Sequence, residues 1–182
     1  MSRSIGALEF RSISKGIEVS NEVVKKASVE IIYFKTICPG KFLVIVTGDE
    51  GEVNEAIDYG VEIADGTLVD SFKVHAVSQA IVQAFKNKYD SRTVEGAIGI
   101  METGKVCTGI KALDHALKSS DSKLIKMQLA FGIGGKLVYV ITGTLSSIEC
   151  GLREAKLALD QQERANISII PSPSEEMTQF LI

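Results

Sequence analysis

Gly40-Lys41-Phe42-Leu43-Val44-Ile45-Val46-Thr47-Gly48 returns later in the chain as Gly135-Lys136-Leu137-Val138-Tyr139-Val140-Ile141-Thr142-Gly143. Each run is rich in β-branched and aromatic residues, opens on Gly-Lys and closes on Thr-Gly, so each reads as a strand. Working outward, the correspondence continues. Ile5-Gly6-Ala7-Leu8-Glu9 answers Ile98-Gly99-Ile100-Met101-Glu102, Gly16-Ile17 answers Gly109-Ile110, and Lys25 answers Lys118. Beyond the strand, Val74–Phe85 lies over Ile170–Leu181. The order is preserved throughout, so the chain is two copies of one folding unit in tandem.

Each copy predicts the same elements. A strand comes first (5–10 and 97–102). A helix follows, with Ile13, Ile17, Val23, Val24 and Ala27 as its apolar positions in copy one and Ile110, Leu113, Ala116 and Leu117 in copy two. Two strands come next, 29–37 with 41–48 and 123–130 with 136–143, joined by Pro-Gly and Gly-Gly connections that predict antiparallel hairpins. A second helix opens at Asp49, a cap with Glu52 three residues on. Its stripe is Val53, Ile57, Gly60 and Ala64, matched by Ile148, Leu152, Ala155 and Leu159. A last strand near 68–75 and 166–171 and a short terminal segment complete the unit. The order β-α-β-β-α-β is the split arrangement of ferredoxin-like folds. The fold class is α+β: two tandem domains, 1–90 and 91–182, each an antiparallel sheet with helices packed on it. The polar stretch 86–92 is the expected linker, and the halves are expected to pack together so as to hide strand edges.

Composition narrows the function. The 182 residues carry a net charge of −3. The lysines are scattered, which argues against nucleic-acid binding. No apolar run reaches the ~18–20 residues of a membrane-spanning helix, and Met1-Ser2-Arg3-Ser4 leads into a strand without a signal-peptide core. A cytoplasmic protein is expected. The cysteines are Cys38, Cys107 and Cys150. An odd number without a CxxC pair argues against a disulfide framework and against a complete metal site in one chain. Cys107 and Cys150 are expected to pack as small hydrophobes at helices, and His75 and His115 to be surface or hydrogen-bonded histidines. Gly132-Ile133-Gly134-Gly135-Lys136 fails as a phosphate loop, because Ala130 stands at the first glycine and Leu137 at the Ser/Thr position. It fails the dinucleotide pattern too, again at Leu137. Carboxylates fall on helix faces without pairing, so no catalytic constellation is expected and the chain does not read as an enzyme.

The assembled motifs resemble the bacterial microcompartment shell-protein family. Ile5-Gly6-Ala7-Leu8-Glu9 is similar to its first strand, Lys25-Lys26-Ala27-Ser28-Val29 to the end of its first helix, Lys35-Thr36-Ile37-Cys38-Pro39-Gly40 to its pore loop, and Ile169-Ile170-Pro171-Ser172-Pro173 to its closing signature. The strand-first order resembles the unpermuted tandem-domain class, and the two loops resemble the T-type of propanediol-utilisation shells. The resemblance implies a homotrimer that imitates a hexamer, tiled edge to edge with other shell proteins. Pore loops would come from both copies: Thr36, Ile37, Cys38, Pro39 and Gly40 in one, Gly132, Ile133, Gly134 and Gly135 in the other. Lys25 and Lys118 match the family's edge lysine and are expected to serve lateral tiling. The chain departs from the closing signature: Ser172 and Ser174 stand where many members have Arg and His, and copy one has His75-Ala76-Val77 without proline.

Cys38 carries the chemical question. A thiolate is a soft ligand suited to iron–sulfur clusters, zinc or Cu(I). One cysteine cannot hold a cluster, but three-fold symmetry would bring three Cys38 thiolates together, matching three irons of a [4Fe–4S] cluster with an external fourth ligand. Pro39 stiffens the loop. The T-type resemblance implies this same site. Each trimer is then expected to carry one cluster, which passes electrons across the shell to a redox partner or blocks the pore. Two other readings stand beside it: a shell tile whose pore passes metabolites without a cluster, and a small-molecule-binding module on a duplicated ferredoxin-like frame.

Overall fold

The computed structural model describes residues 3–89, 93–129, 132, 134–159 and 163–181. The chain divides into two compact units, Met1–Val77 and Ser78–Ile182. The first contains β1 (Ser4–Phe10), α1 (Ile13–Lys26), β2 (Glu30–Ile37), β3 (Lys41–Gly48), α2 (Glu50–Glu62) and β4 (Leu68–Val74). The second contains α3 (Gln79–Phe85), β5 (Ala97–Thr103), α4 (Val106–Ser119), β6 (Lys123–Leu129), β7 (Leu137–Gly143), α5 (Leu145–Leu157), β8 (Ala165–Ile170) and α6 (Glu175–Leu181). The sheets run β2-β3-β1-β4 and β6-β7-β5-β8, with every pairing antiparallel. The β-α-β-β-α-β order expected from the repeat is therefore present twice.

The shared register explains why the glycine pair Gly6 and Gly99 recurs. β1 lies between β3 and β4 with all seven residues buried. A Cβ on Gly6 would meet Ile57 Cγ1 of α2 at 2.3 Å, and one on Gly99 would meet Ile148 Cγ2 of α5 at 2.7 Å. The second helix of each unit thus rests directly on the central strand's backbone. Leu8, Phe10, Val19, Val23, Phe42, Val44, Val53 and Ile57 fill the first unit's layer between sheet and helices.

Two expectations are corrected and a third is made specific. The buried face of α1 is Gly16, Val19, Ser20 and Val23, while Ile13, Ile17 and Val24 are exposed. Val23 and Ala27 of the expected stripe are buried, but hydropathy missed Gly16 and Ser20 because they are small. Phe42 fills the space above Gly16, where a Cβ would meet its Cδ1 at 2.6 Å, and Ser20 Oγ donates to the Gly16 carbonyl at 2.6 Å. In α4 the expected Ile110, Leu113 and Ala116 are indeed buried. The capping box at Asp49 is not formed: Asp49 makes no side-chain cap bond, and Glu52 instead accepts from the Ser28 backbone N–H. Genuine side-chain caps occur at Ser12 and Thr144, which accept from Lys15 N–H and Ser147 N–H. Lastly, the terminal segments are helical, α3 and α6. By repeat, α3 closes copy one; in space it lies in the second unit against β6. Of the expected linker 86–92, residues 90–92 lie outside the described residues.

Candidate functional site

The β2–β3 hairpin pairs Ile37 with Lys41, so Cys38-Pro39-Gly40 forms its turn. Gly40 has φ +71°, a left-handed conformation that an L side chain resists. Thr36, Pro39 and Gly40 are exposed and Cys38 is half-buried, whereas Ile37 turns into the core. Four of the five expected loop residues are therefore accessible, and Ile37 anchors them.

A charged pair stands at the base of this turn. Lys41 Nζ lies 2.7 Å from Glu9 Oε1. Lys41 sits two residues along β3 from Leu43, the register partner of Glu9, so the contact runs diagonally across one sheet face. Glu9 is fully buried, and its Oε2 has no hydrogen-bond partner among the described residues. The second unit repeats the pair: Lys136 Nζ is 2.6 Å from Glu102 Oε1, which Asn166 also reaches at 3.3 Å. Glu102 is part-exposed, and the Lys136 hydrogen bond holds its carboxyl below the ordinary carboxylate range. The sequence reading missed both pairs. Their signal was present: a lone Glu inside an apolar strand, and a Lys after Gly at the start of the next strand, twice.

The second hairpin has a longer connection, between β6 and β7. Gly132, Gly134 and Gly135 all take positive φ there, at 75°, 68° and 82°. Gly132 and Gly134 are exposed and Gly135 is buried. Ile133, expected in this loop, lies outside the described residues.

Lys25 and Lys118 are not equivalent. Lys25 pairs with Glu22 at 2.9 Å on the exposed surface, and its hydrogen bond lowers the Glu22 pKa. Lys118 pairs with Asp114, which is buried and also accepts from the Ser78 backbone N–H at 2.8 Å.

The remaining candidates lie apart from the turn. Cys107 is fully buried in α4. Cys150 on α5 is half-buried, its Sγ donating to the Ser119 carbonyl at 3.5 Å. His75 Nδ1 is 3.3 Å from Ser4 Oγ, and His115 is exposed on α4. Among the described residues no group of three or more His, Cys, Asp or Glu side chains converges as a metal site. One chain offers Cys38 as a single accessible thiol in a turn, which does not by itself fit an iron–sulfur cluster. Among the described residues no helix is long and apolar enough to cross a membrane.

Comparison with known proteins places this geometry. The family model described as the BMC domain matches residues 4–85 and 97–173. The bacterial microcompartment shell protein PduT of Citrobacter freundii is 37% identical over 185 residues, spanning 100% of this chain and 99% of its own. The crystal structure of a microcompartment protein from Desulfitobacterium hafniense superposes with a TM-score of 0.86 at 28% identity, over 98% of this chain and 99% of that one. The fused permuted hexameric shell protein of the RMM microcompartment matches with a TM-score of 0.63 at 19% identity, over 85% and 80% of the two chains, a likeness of fold alone. The chain belongs to the bacterial microcompartment shell-protein family, as a member carrying two BMC domains in tandem.

Proposed function

We propose that this chain is a structural shell tile that assembles as a homotrimer imitating a hexamer, with its two kinds of hairpin turn around a central pore. The observation that carries the reading is the full-length repeat of one frame with unlike turns: Cys38-Pro39-Gly40 in the first unit and the glycine-rich connection in the second. The near-complete alignment to PduT, a shell protein, supports it. Lys25 and Lys118 then serve the lateral edge, Lys25 as the more exposed of the two.

The cofactor proposal follows from the oligomer. Three Cys38 thiolates at a three-fold axis would supply three of the four ligands that a [4Fe–4S] cluster usually takes, one cluster per trimer. A cluster so held would supply one-electron chemistry at the pore, and a redox partner on one side of the shell would exchange electrons with it. The half-buried position of Cys38 and its place next to Pro39 and a left-handed glycine suit a stiff, accessible ligand. A metabolite pore without a cluster is the competing reading. Anaerobic purification, native mass and an iron and sulfide count decide between them. The cluster reading expects about four irons and four sulfides per three chains, lost in Cys38→Ser without change of native mass. Iron that survives Cys38→Ser, or its absence from anaerobic wild type, refutes the cluster and leaves the tile.

A further inference from the structure

The two repeats differ in what covers one groove. In the second unit, the groove between α4 and β6 is crossed by residues 78–89. Ser78 N–H donates to Asp114 of α4 at 2.8 Å. Helix α3 lies against β6 with Ile81, Val82 and Ala84 buried. The Tyr89 hydroxyl accepts from Met127 N–H at 3.2 Å and lies 3.4 Å from the Met127 carbonyl. By repeat, residues 78–85 are the end of copy one.

The equivalent groove of the first unit runs between α1 and β2 and is open. Ile17 is 46% exposed, whereas its equivalent Ile110 is 0%; Phe34 is 43% exposed, whereas its equivalent Met127 is 8%. Ile13, Val24 and Ile31 are also exposed large hydrophobics. Helix and strand sides of this groove meet through one side chain. Phe42 meets the Phe34 ring edge-on at a centroid distance of 4.7 Å and also lies over Gly16, the neighbour of Ile17. Scattered exposed apolar residues are ordinary, but Ile13, Ile17, Ile31 and Phe34 have repeat equivalents (Val106, Ile110, Leu124 and Met127) that are all buried, which marks an incomplete interface.

The would-be cover shows the complementary defect. Helix α6 ends copy two as α3 ends copy one. Met177 and Leu181 of α6 pack on their own sheet beside Ile98, Ile125 and Val140. Phe180 points away and is 83% exposed, whereas its equivalent on α3, Ala84, is 7% exposed. Both the open groove and the outward Phe180 thus occupy positions that are filled in the other repeat.

We infer that α6 of one chain docks into the α1–β2 groove of a second copy, with Phe180 as its anchor against Phe34 and Ile17. The inference rests on the trimeric reading above and names the seam that would close it. The contact continues from chain to chain what residues 78–89 do within the second unit. Groove and helix are different surfaces, so the contact is heterologous and makes a ring when its rotation closes. Asn21 stands where α4 has Asp114. Its amide Nδ2 already donates to Glu22 at 2.7 Å, which leaves the Asn21 carbonyl oxygen to accept the Ser174 N–H as Asp114 accepts that of Ser78.

The test is cross-linking combined with native mass spectrometry on the full chain. Asn21→Cys and Ser174→Cys are introduced together in a Cys38→Ser, Cys150→Ser background, where the remaining Cys107 is buried, and treated with a short bis-maleimide. The expected products are linked dimers and a closed three-chain species. Separately, Phe180→Asp should raise the concentration at which the assembly dissociates by about tenfold or more, as expected for losing a buried phenylalanine. Its circular dichroism should not change, since Phe180 is exposed in the single chain. A wild type that assembles as a trimer while the double-cysteine chain gives no intermolecular link, or while Phe180→Asp assembles normally, overturns this seam and leaves the tile reading intact. A wild-type monomer overturns both.

Discussion

The paired charges beneath the two hairpin turns allow the same perturbation to be made twice in one molecule. Lys41→Met removes the partner of Glu9, a carboxylate with no exposed surface and a second oxygen already without a partner among the described residues. Breaking a fully buried pair costs about 3–5 kcal/mol. Lys41 keeps 25% of its side chain exposed, so water can partly replace it, and about 2–3 kcal/mol is the better expectation. Lys136→Met removes the repeat equivalent, but there the side chains of lysine and glutamate are 46% and 32% exposed and Asn166 remains bonded to the carboxylate. An exposed pair is worth about 0–1 kcal/mol. The two variants should therefore differ by about 2 kcal/mol, roughly thirty-fold in the unfolding constant. Urea unfolding at neutral pH followed by circular dichroism measures both. Adding Glu9→Gln to Lys41→Met should restore much of the loss, because the stranded buried charge is gone. Equal losses for Lys41→Met and Lys136→Met would refute the reasoning, as would a double variant no more stable than Lys41→Met alone.

Three further outcomes are expected. Gly6→Ala places a Cβ inside Ile57; overpacking of about 1–3 kcal/mol outweighs the ~0.5–1 kcal/mol gained by replacing a strand glycine, so Tm falls, and a Tm at or above wild type contradicts the packing described. In iron-free native protein a thiol reagent should label Cys38 and Cys150 quickly and Cys107 only after unfolding; immediate reaction of all three would place Cys107 at the surface. Glu102 should titrate below the ordinary carboxylate value in the folded chain because Lys136 holds it ionised. A depressed folded pKa gives stability that is present above the unfolded value and lost as pH falls through the folded one, and at this exposed site the amount is small. Carboxyl NMR of Lys136→Met should show the midpoint moving up toward the ordinary carboxylate range, and an unmoved midpoint would assign the shift to another group.

What the sequence made legible follows from what repeats. The strands were readable because β1, β3, β5 and β7 are predominantly apolar, and the duplication supplied each reading twice. The face of α1 was only partly readable: Val23 and Ala27 signalled it, but Gly16, packed beneath Phe42, and Ser20, bonded to the Gly16 carbonyl, carry no hydropathic signal. The supposed box at Asp49 failed because Glu52 had a competing donor in Ser28 N–H, which only the fold brings near. Lys118 and Lys25 looked alike in sequence, and only the fold shows that Lys118 is tied to a buried aspartate. Cys38 was placed correctly in a hairpin turn because Pro-Gly and the flanking strands define one locally. Whether three such turns meet is a property of several chains, and no local pattern encodes it.

The asymmetry of the turns also constrains why the unit is duplicated. Both hairpins stand on the same foundation: a glycine under the second helix, a strand glutamate and the lysine that opens the returning strand. Above that base the sequences part. The first turn is three residues with one left-handed glycine; the second is longer and holds Gly132, Gly134 and Gly135, all at positive φ. A single-domain hexamer repeats one loop six times, so any cysteine in it appears six times. A fused pair can hold one loop short and stiff with a thiol while the other remains glycine-rich, without changing the frame that supports either. If the turns do meet on an axis, shortening the glycine-rich connection to match the first turn should leave folding intact and alter only what the centre admits or binds. A variant so shortened that no longer folds would show that the longer connection is needed by the hairpin itself and not by what the centre admits or binds.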